Sequence, residues 1–154
     1  MKYQQRALTP YTEAVIHEIQ RCGNIVPMGV VHSASVDTEL FGYKFPKGTQ
    51  IIPYLNDILH DPVTFPDPTR LDPHRHLNSD GKFVPHHNVI PFSVGKRRCL
   101  GETLAKVELY RFFAGIMQRF DVCKIDENAV LTLDRYFGQA QTPKEFQVRL
   151  ISRT

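Results

Sequence analysis

The chain has no tryptophan, only three cysteines, and no apolar run approaching the ~18 residues that cross a bilayer. Without tryptophan, ten Phe and six Tyr must supply the bulky core material. Cys22, Cys99 and Cys123 form no Cys-x-x-Cys pair and are odd in number, which argues against a disulfide framework and reads as an intracellular chain with reduced thiols. The polar start, Met1-Lys2-Tyr3-Gln4-Gln5-Arg6, is expected to carry no signal peptide. Positive charge is sparse as well. The net charge is +3 and the longest basic run is Lys96-Arg97-Arg98, so no nucleic-acid partner is expected. What is present suits a globular chain: 42% hydrophobic and 23% charged residues over 154 positions. A single domain of this length buries roughly 70% of its unfolded surface. Proline is the exception, with most of the 11 falling between Pro46 and Pro91, where they predict a long irregular stretch.

Thr9-Pro10 has the form of an N-cap followed by a first helical residue, and predicts a helix over about 10–22. Tyr11, Val15, Ile19 and Cys22 supply its apolar spacing, and Gly23 is expected to end it. Residues 25–54 read as β segments, in pieces at 25–32, 40–45 and 49–54, with one helical turn possible at 56–60. Residues 61–91 form a meander with little periodicity of either kind. After it, Ala105, Leu109, Phe112, Phe113, Ile116, Met117 and Phe120 mark one face of a long helix over about 102–119. Residues 121–151 return to β segments, ending on Phe146, Val148 and Leu150 alternating with Gln147, Arg149 and Ile151 as a half-buried strand. The fold class is mainly α with small β-sheets, α+β.

Chemistry concentrates in the loop 92–101, Phe92-Ser93-Val94-Gly95-Lys96-Arg97-Arg98-Cys99-Leu100-Gly101. A cysteine just ahead of a long helix, beside Arg97 and Arg98, sits where the helix dipole and positive charge favour a thiolate. Gly95 and Gly101 leave room for a tight turn and a flat ligand. On chemistry alone, Cys99 could equally be a buried free thiol. The loop resembles the haem-ligand loop of cytochrome P-450 enzymes, F-x-x-G-x-R-x-C-x-G, through Phe92, Gly95, Arg97, Cys99 and Gly101. Five such matches arise by accident on the order of once in ten thousand chains of this size. The resemblance implies that these five residues bind haem, with Cys99 as the axial thiolate on its iron and Arg97 on a propionate.

Other marks follow in the family's order. Glu18-Ile19-Gln20-Arg21 is an E-x-x-R on the first predicted helix, where acid and base at i, i+3 are surface neighbours. An exposed pair of this kind is worth under about 1 kcal/mol. By resemblance it joins a third cation in Asp72-Pro73-His74-Arg75-His76-Leu77, making Glu18, Arg21 and Arg75 a structural triad that pins the meander. The family usually has Phe where His76 stands, so the packing of the meander is expected to differ there. His32 occupies the position of a propionate contact in animal microsomal members, or is an ordinary strand-end histidine. Residues 26–31 and 138–140 would face substrate by the same resemblance, and read otherwise as plain strand and turn. His74, His76, His86 and His87 raise the alternative of zinc, but their spacing matches no zinc pattern and polar loop histidines explain them. No Ser/His/Asp set, phosphate loop or paired-carboxylate site stands out.

The resemblance runs from about Leu8 to Arg153 and corresponds to the C-terminal haem-binding portion of the family's catalytic domain. No A-G-x-[DE]-T stretch, no distal helix and no membrane anchor is found, so the chain is expected to be a fragment, a shortened isoform or an incomplete gene model. The family implies insertion of one atom of O2 into small apolar molecules, with electrons from an NADPH-dependent reductase at the cytoplasmic face of the endoplasmic reticulum membrane. Lys96, Arg98 and Lys106 could form part of a surface for that reductase. Membrane association is expected only through parts outside this chain, and no catalytic residue is assigned within it. The alternative function is a non-catalytic haem-binding or protein-interaction fragment.

Overall fold

The computed structural model describes residues 3–153. A 3-10 turn at Tyr3–Leu8 leads into α1, Pro10–Gly23. Pro10 fits the first turn, where an N–H would lack an intrahelical partner anyway. The Thr9 hydroxyl makes no cap bond; it pairs with Arg6 O at 3.1 Å and with the Tyr110 hydroxyl at 2.7 Å, tying α1 to the last helix. Gly23 remains helical. The left-handed residue that ends α1 is Asn24, at φ 35°, with its N–H donating to Gln20 O at 3.1 Å.

Four short strands follow: β1 His32–Ser33, β2 Thr38–Leu40, β3 Tyr43–Phe45 and β4 Gln50–Ile51. β1 pairs antiparallel with β4, His32 opposite Ile51, and β2 with β3, Thr38 opposite Phe45. The strands are shorter than the pattern predicts, and 25–31 contains none. Gly29 N–H turns back to Val26 O at 3.1 Å, and Pro27 has no N–H to give a ladder. Gly29 itself is required: its φ is +59°, and a Cβ there would meet Pro53 Cγ at 2.8 Å. Then come α2, Leu55–Leu59, a meander with a 3-10 turn at Pro73–His76, and a further 3-10 turn at Gly95–Arg97 in the loop 92–101. Helix α3, Glu102–Arg119, runs directly into β5, Phe120–Lys124. The remaining strands are β6 Arg135–Tyr136, β7 Thr142–Pro143 and β8 Val148–Ser152. β5 pairs with β8 from Phe120 opposite Ser152 to Lys124 opposite Val148, and β6 pairs with β7. The architecture is α+β, two long helices with small antiparallel ribbons.

Leu55, Leu59, Phe65 and Val89 form the buried apolar cluster, with Ile90 packed against it. Each large member contributes about 1.5–3 kcal/mol by leaving water. α1 packs on α3, where Ala14, Tyr110 and Ala114 are buried. On three elements burial does not follow the apolar pattern. α1 buries Ala14, Glu18 and Arg21 and exposes Tyr11 and Ile19, so its inward face is the charged one. α3 leaves Leu109, Phe112, Ile116 and Met117 exposed, Phe112 to 69%. β8 is exposed along its whole length instead of half-buried. Periodicity locates a helix but does not say which face meets a partner; here the stripe carrying Glu18 and Arg21 meets the meander.

Candidate functional site

The loop 92–101 is closed by its own backbone. Cys99 N–H donates to Phe92 O at 2.9 Å, Ser93 N–H to Ile90 O at 2.9 Å and Arg98 N–H to Gly95 O at 3.3 Å. Ser93 and Gly95 both have positive φ, 62° and 73°. At Gly95 the positive φ of 73° suits glycine, and a side chain there would meet nothing of the protein within 4 Å. At Gly101 a Cβ would lie 3.7 Å from the Cys99 sulfur, in van der Waals contact, so glycine leaves that side of the sulfur uncovered. Cys99 is exposed, as are Arg97 and Arg98, whose guanidinium groups have no hydrogen-bond or ion-pair partner among the described residues. Apolar side chains stand around the same turn, with Val94 and Leu104 exposed and Leu100 fully so. Phe92 is half-buried, with Lys106 Nζ 5.8 Å from its ring centroid.

Behind the loop lies a buried charge network. Glu18 and Arg21 are both 0% exposed. Arg21 grips Glu18 twice, Nε to Oε2 at 2.9 Å and Nη2 to Oε1 at 2.8 Å, and its Nη1 donates to Leu59 O at 2.8 Å. The Asp72 amide donates to Glu18 Oε1 at 3.1 Å, and Arg75 Nε stands 3.5 Å from the same oxygen. His76, also 0% exposed, brings Nε2 to 2.8 Å from Glu18 Oε2. Burial pushes the Glu18 carboxyl up, but the hydrogen bonds from Arg21, His76 and the Asp72 amide and the charge of Arg21 outweigh it, holding the group well below the usual carboxylate range. The structure thus brings Glu18, Arg21 and Arg75 together.

Sequence reasoning missed two residues here. His76 belongs to the buried network, which corrects its reading as a polar loop histidine. His17 packs edge-on against it with ring centroids 4.7 Å apart. Their signal was position: one adjoins Glu18 in sequence, the other Arg75. Burial, followed by repulsion from His76 and Lys106, pushes the His17 pKa down to about 4. An unfolded His titrates near 6.5, so the unfolded chain takes up a proton first and His17 lowers stability as pH falls from about 6.5 towards 4. The difference amounts to at most about 3 kcal/mol. Urea unfolding at pH 7 and pH 4.5 should show a smaller pH-dependent loss for His17→Gln than for the parent chain. An equal loss in the two proteins would remove His17 as its source.

The other candidates are more dispersed. His32 lies in β1 opposite Ile51, and no hydrogen bond or ion pair of the described residues links it to the loop 92–101. The segments 26–31 and 138–140 come from distant parts of the chain, and the residues that adjoin them, Ile25 and Gln141, are bonded to each other. Gln141 N–H donates to Ile25 O at 2.7 Å, and Arg135 Nη1 donates both to Gly23 O and to Gln141 Oε1 at 2.9 Å. Lys106 Nζ pairs with Glu102 Oε1 at 2.6 Å, whereas Lys96 and Arg98 are unpaired among the described residues. No three His, Cys, Asp or Glu side chains converge as a metal site among the described residues. His86 instead stacks on His87 at 4.8 Å.

The sequence profile of the family described as Cytochrome P450 matches residues 1–150. The chain belongs to the cytochrome P450 family. It is 47% identical to Cytochrome P450 2A13 of Homo sapiens over 153 residues, covering 99% of this chain and 31% of that protein. It is 40% identical to Cytochrome P450 2B4 of Oryctolagus cuniculus over 149 residues, 96% of this chain and 30% of the relative. Against Cytochrome P450 2S1 of Homo sapiens the identity is 48% over 117 residues, 76% of this chain and 23% of the relative. The chain therefore spans less than a third of the length of these P450 relatives.

The residues of this P450 chain fit the haem that the family implies. A haem takes one protein sulfur and needs no cluster of ligands. Cys99 presents that sulfur at the surface, Gly101 keeps its approach clear, and Arg97 and Arg98 leave guanidinium groups free for carboxylates. Among the described residues no helix of the P450 chain is long and apolar enough to cross a membrane.

Proposed function

We propose that this chain supplies the thiolate side of a haem monooxygenase acting on small apolar molecules. The reading is carried by the exposed Cys99 sulfur, held at the rim of a hydrogen-bonded loop with unpaired arginines beside it. Cys99 would ligate the iron, and Arg97, with His32 as a second candidate, would hold propionates. When bound, the haem supplies the activation of dioxygen. Phe92 and Gly95 shape the loop, Gly101 keeps the sulfur clear, and Glu18, Arg21 and Arg75 anchor the meander behind it. The segments 26–31 and 138–140, whose flanking residues Ile25 and Gln141 are bonded, would face substrate. Lys96 and Arg98 offer free positive charge to an acidic NADPH-dependent reductase; Lys106, engaged by Glu102, offers less. By the family resemblance such an enzyme would sit at the endoplasmic reticulum membrane, facing the cytoplasm.

A chimera tests the reading, with this chain replacing the matching 31% of Cytochrome P450 2A13. Reduced and exposed to carbon monoxide, it should show the strongly red-shifted band of a thiolate-bound haem. Failure to bind haem in a folded chimera would overturn the proposal. The 154-residue chain alone is expected to give no turnover, because its sulfur and the apolar side chains around it face solvent and oxygen activation needs a covered, water-poor pocket. Haem, reductase, NADPH and a dealkylation substrate should yield no Cys99-dependent product. Product coupled to NADPH oxidation would contradict this.

A further inference from the structure

We infer that His76, not Arg75, is the meander's side-chain hydrogen-bonding partner for Glu18, a positioning residue that supplies the donor completing the buried network. A carboxylate accepts at about four lone-pair sites. Arg21 fills two of them, one on each oxygen, the Asp72 amide a third on Oε1, where the Cys22 thiol also stands at 3.7 Å, and His76 Nε2 the fourth on Oε2. Nothing is left for Arg75. Its buried Nε has no hydrogen-bond partner, and its Nη2 turns away to Asp67 O at 2.9 Å. Arg75 therefore contributes charge at a distance while His76 makes the directed bond.

The ionised carboxylate only accepts, so the imidazole proton must sit on Nε2. Its Nδ1 is buried with no hydrogen-bond partner, and the ring of His17 packs edge-on against the imidazole, centroids 4.7 Å apart. The backbone of His76 transmits the position. Val84 N–H donates to His76 O at 2.9 Å, and Leu77 forms a bridge with Phe83, so fixing this ring fixes both ends of the turn 77–83.

The inference is independent of haem, and its tests use the chain without it. With histidine labelled by 15N at pH 8, the His76 ring should carry its proton on Nε2 with coupling to the Glu18 environment; a proton on Nδ1 would overturn the assignment. In urea unfolding, His76→Phe, which keeps a ring and removes the donor, should raise the unfolding constant about tenfold to a hundredfold. His76→Gln, whose amide can donate, should recover part of that, and Arg75→Gln should change the constant less than His76→Phe. An Arg75→Gln effect equal to or above that of His76→Phe would return the role to Arg75. If His76→Phe does not fold, the 15N spectrum of the unaltered chain decides.

Discussion

Glu18→Ala is expected to destabilise the chain by about 3–5 kcal/mol, the usual result of removing one partner of a buried ion pair. The penalty comes mainly from what remains. Arg21 would keep a guanidinium at 0% exposure, with Leu59 O and Arg70 O as acceptors, the Phe65 ring at 5.0 Å, and no countercharge. His76 and the Asp72 amide would lose their acceptor at the same time. The partly exposed pair Arg6 with Glu13, 3.2 Å apart, ties the preceding 3-10 turn to the same helix and serves as a control that should cost about 1 kcal/mol when broken. Urea unfolding followed by circular dichroism separates these cases. A Glu18→Ala value as small as that of Glu13→Ala would mean that the network is not buried in solution. The pH dependence has a fixed sign. The Glu18 carboxyl lies below its ordinary range when folded, so its contribution is complete above the unfolded carboxylate pKa, near 4.3, and declines as pH falls below it. His17 acts earlier, between about 6.5 and 4, so acid should weaken the anchor in two stages.

The elements that depend on local signals were legible. Helix α1 follows Thr9-Pro10, α3 follows its apolar repeat, and the α+β class follows from the two together. The faces were not legible, because burial depends on partners far along the chain. Glu18 is buried by His76, 58 residues away, and Arg21 by Leu59, 38 residues away. A helical stripe of Ala14, Glu18 and Arg21 reads as solvated until the meander is folded over it. The same reason explains α3, where Leu109, Phe112, Ile116 and Met117 stay exposed while Tyr110, bonded to Thr9, turns inward. Strands failed at prolines and glycines that the alternation could not weigh, as at Pro27 and Gly29. In the loop 92–101, the five fixed residues lie in ten consecutive positions, so their pattern survives without any knowledge of packing.

Cys99→Ala in the P450 2A13 chimera is expected to abolish the thiolate-type carbon monoxide signature completely, whereas Cys22→Ser and Cys123→Ser should leave it intact. The three sulfurs differ in kind. Cys99 is exposed at the loop rim, while Cys22 and Cys123 are half-buried. Ligation requires a thiolate, and burial pushes the Cys22 thiol up to about 11, despite the Arg21 charge, leaving it protonated at neutral pH. Its Sγ is moreover held among Arg21 Nη2 at 2.9 Å and Glu18 Oε1 at 3.7 Å, inside the anchor. Cys123 lies within β5 opposite Arg149, committed to a ribbon with no basic loop around it. Only Cys99 combines access, a cleared approach at Gly101 and neighbouring unpaired cations. Cys99→His should retain haem while shifting the spectrum away from the thiolate type, which separates loss of the ligand from loss of the fold. An unchanged spectrum in Cys99→Ala would reject Cys99 as the ligand, and loss of the signature in Cys22→Ser, with folding preserved, would transfer the assignment to a sulfur that its burial argues against.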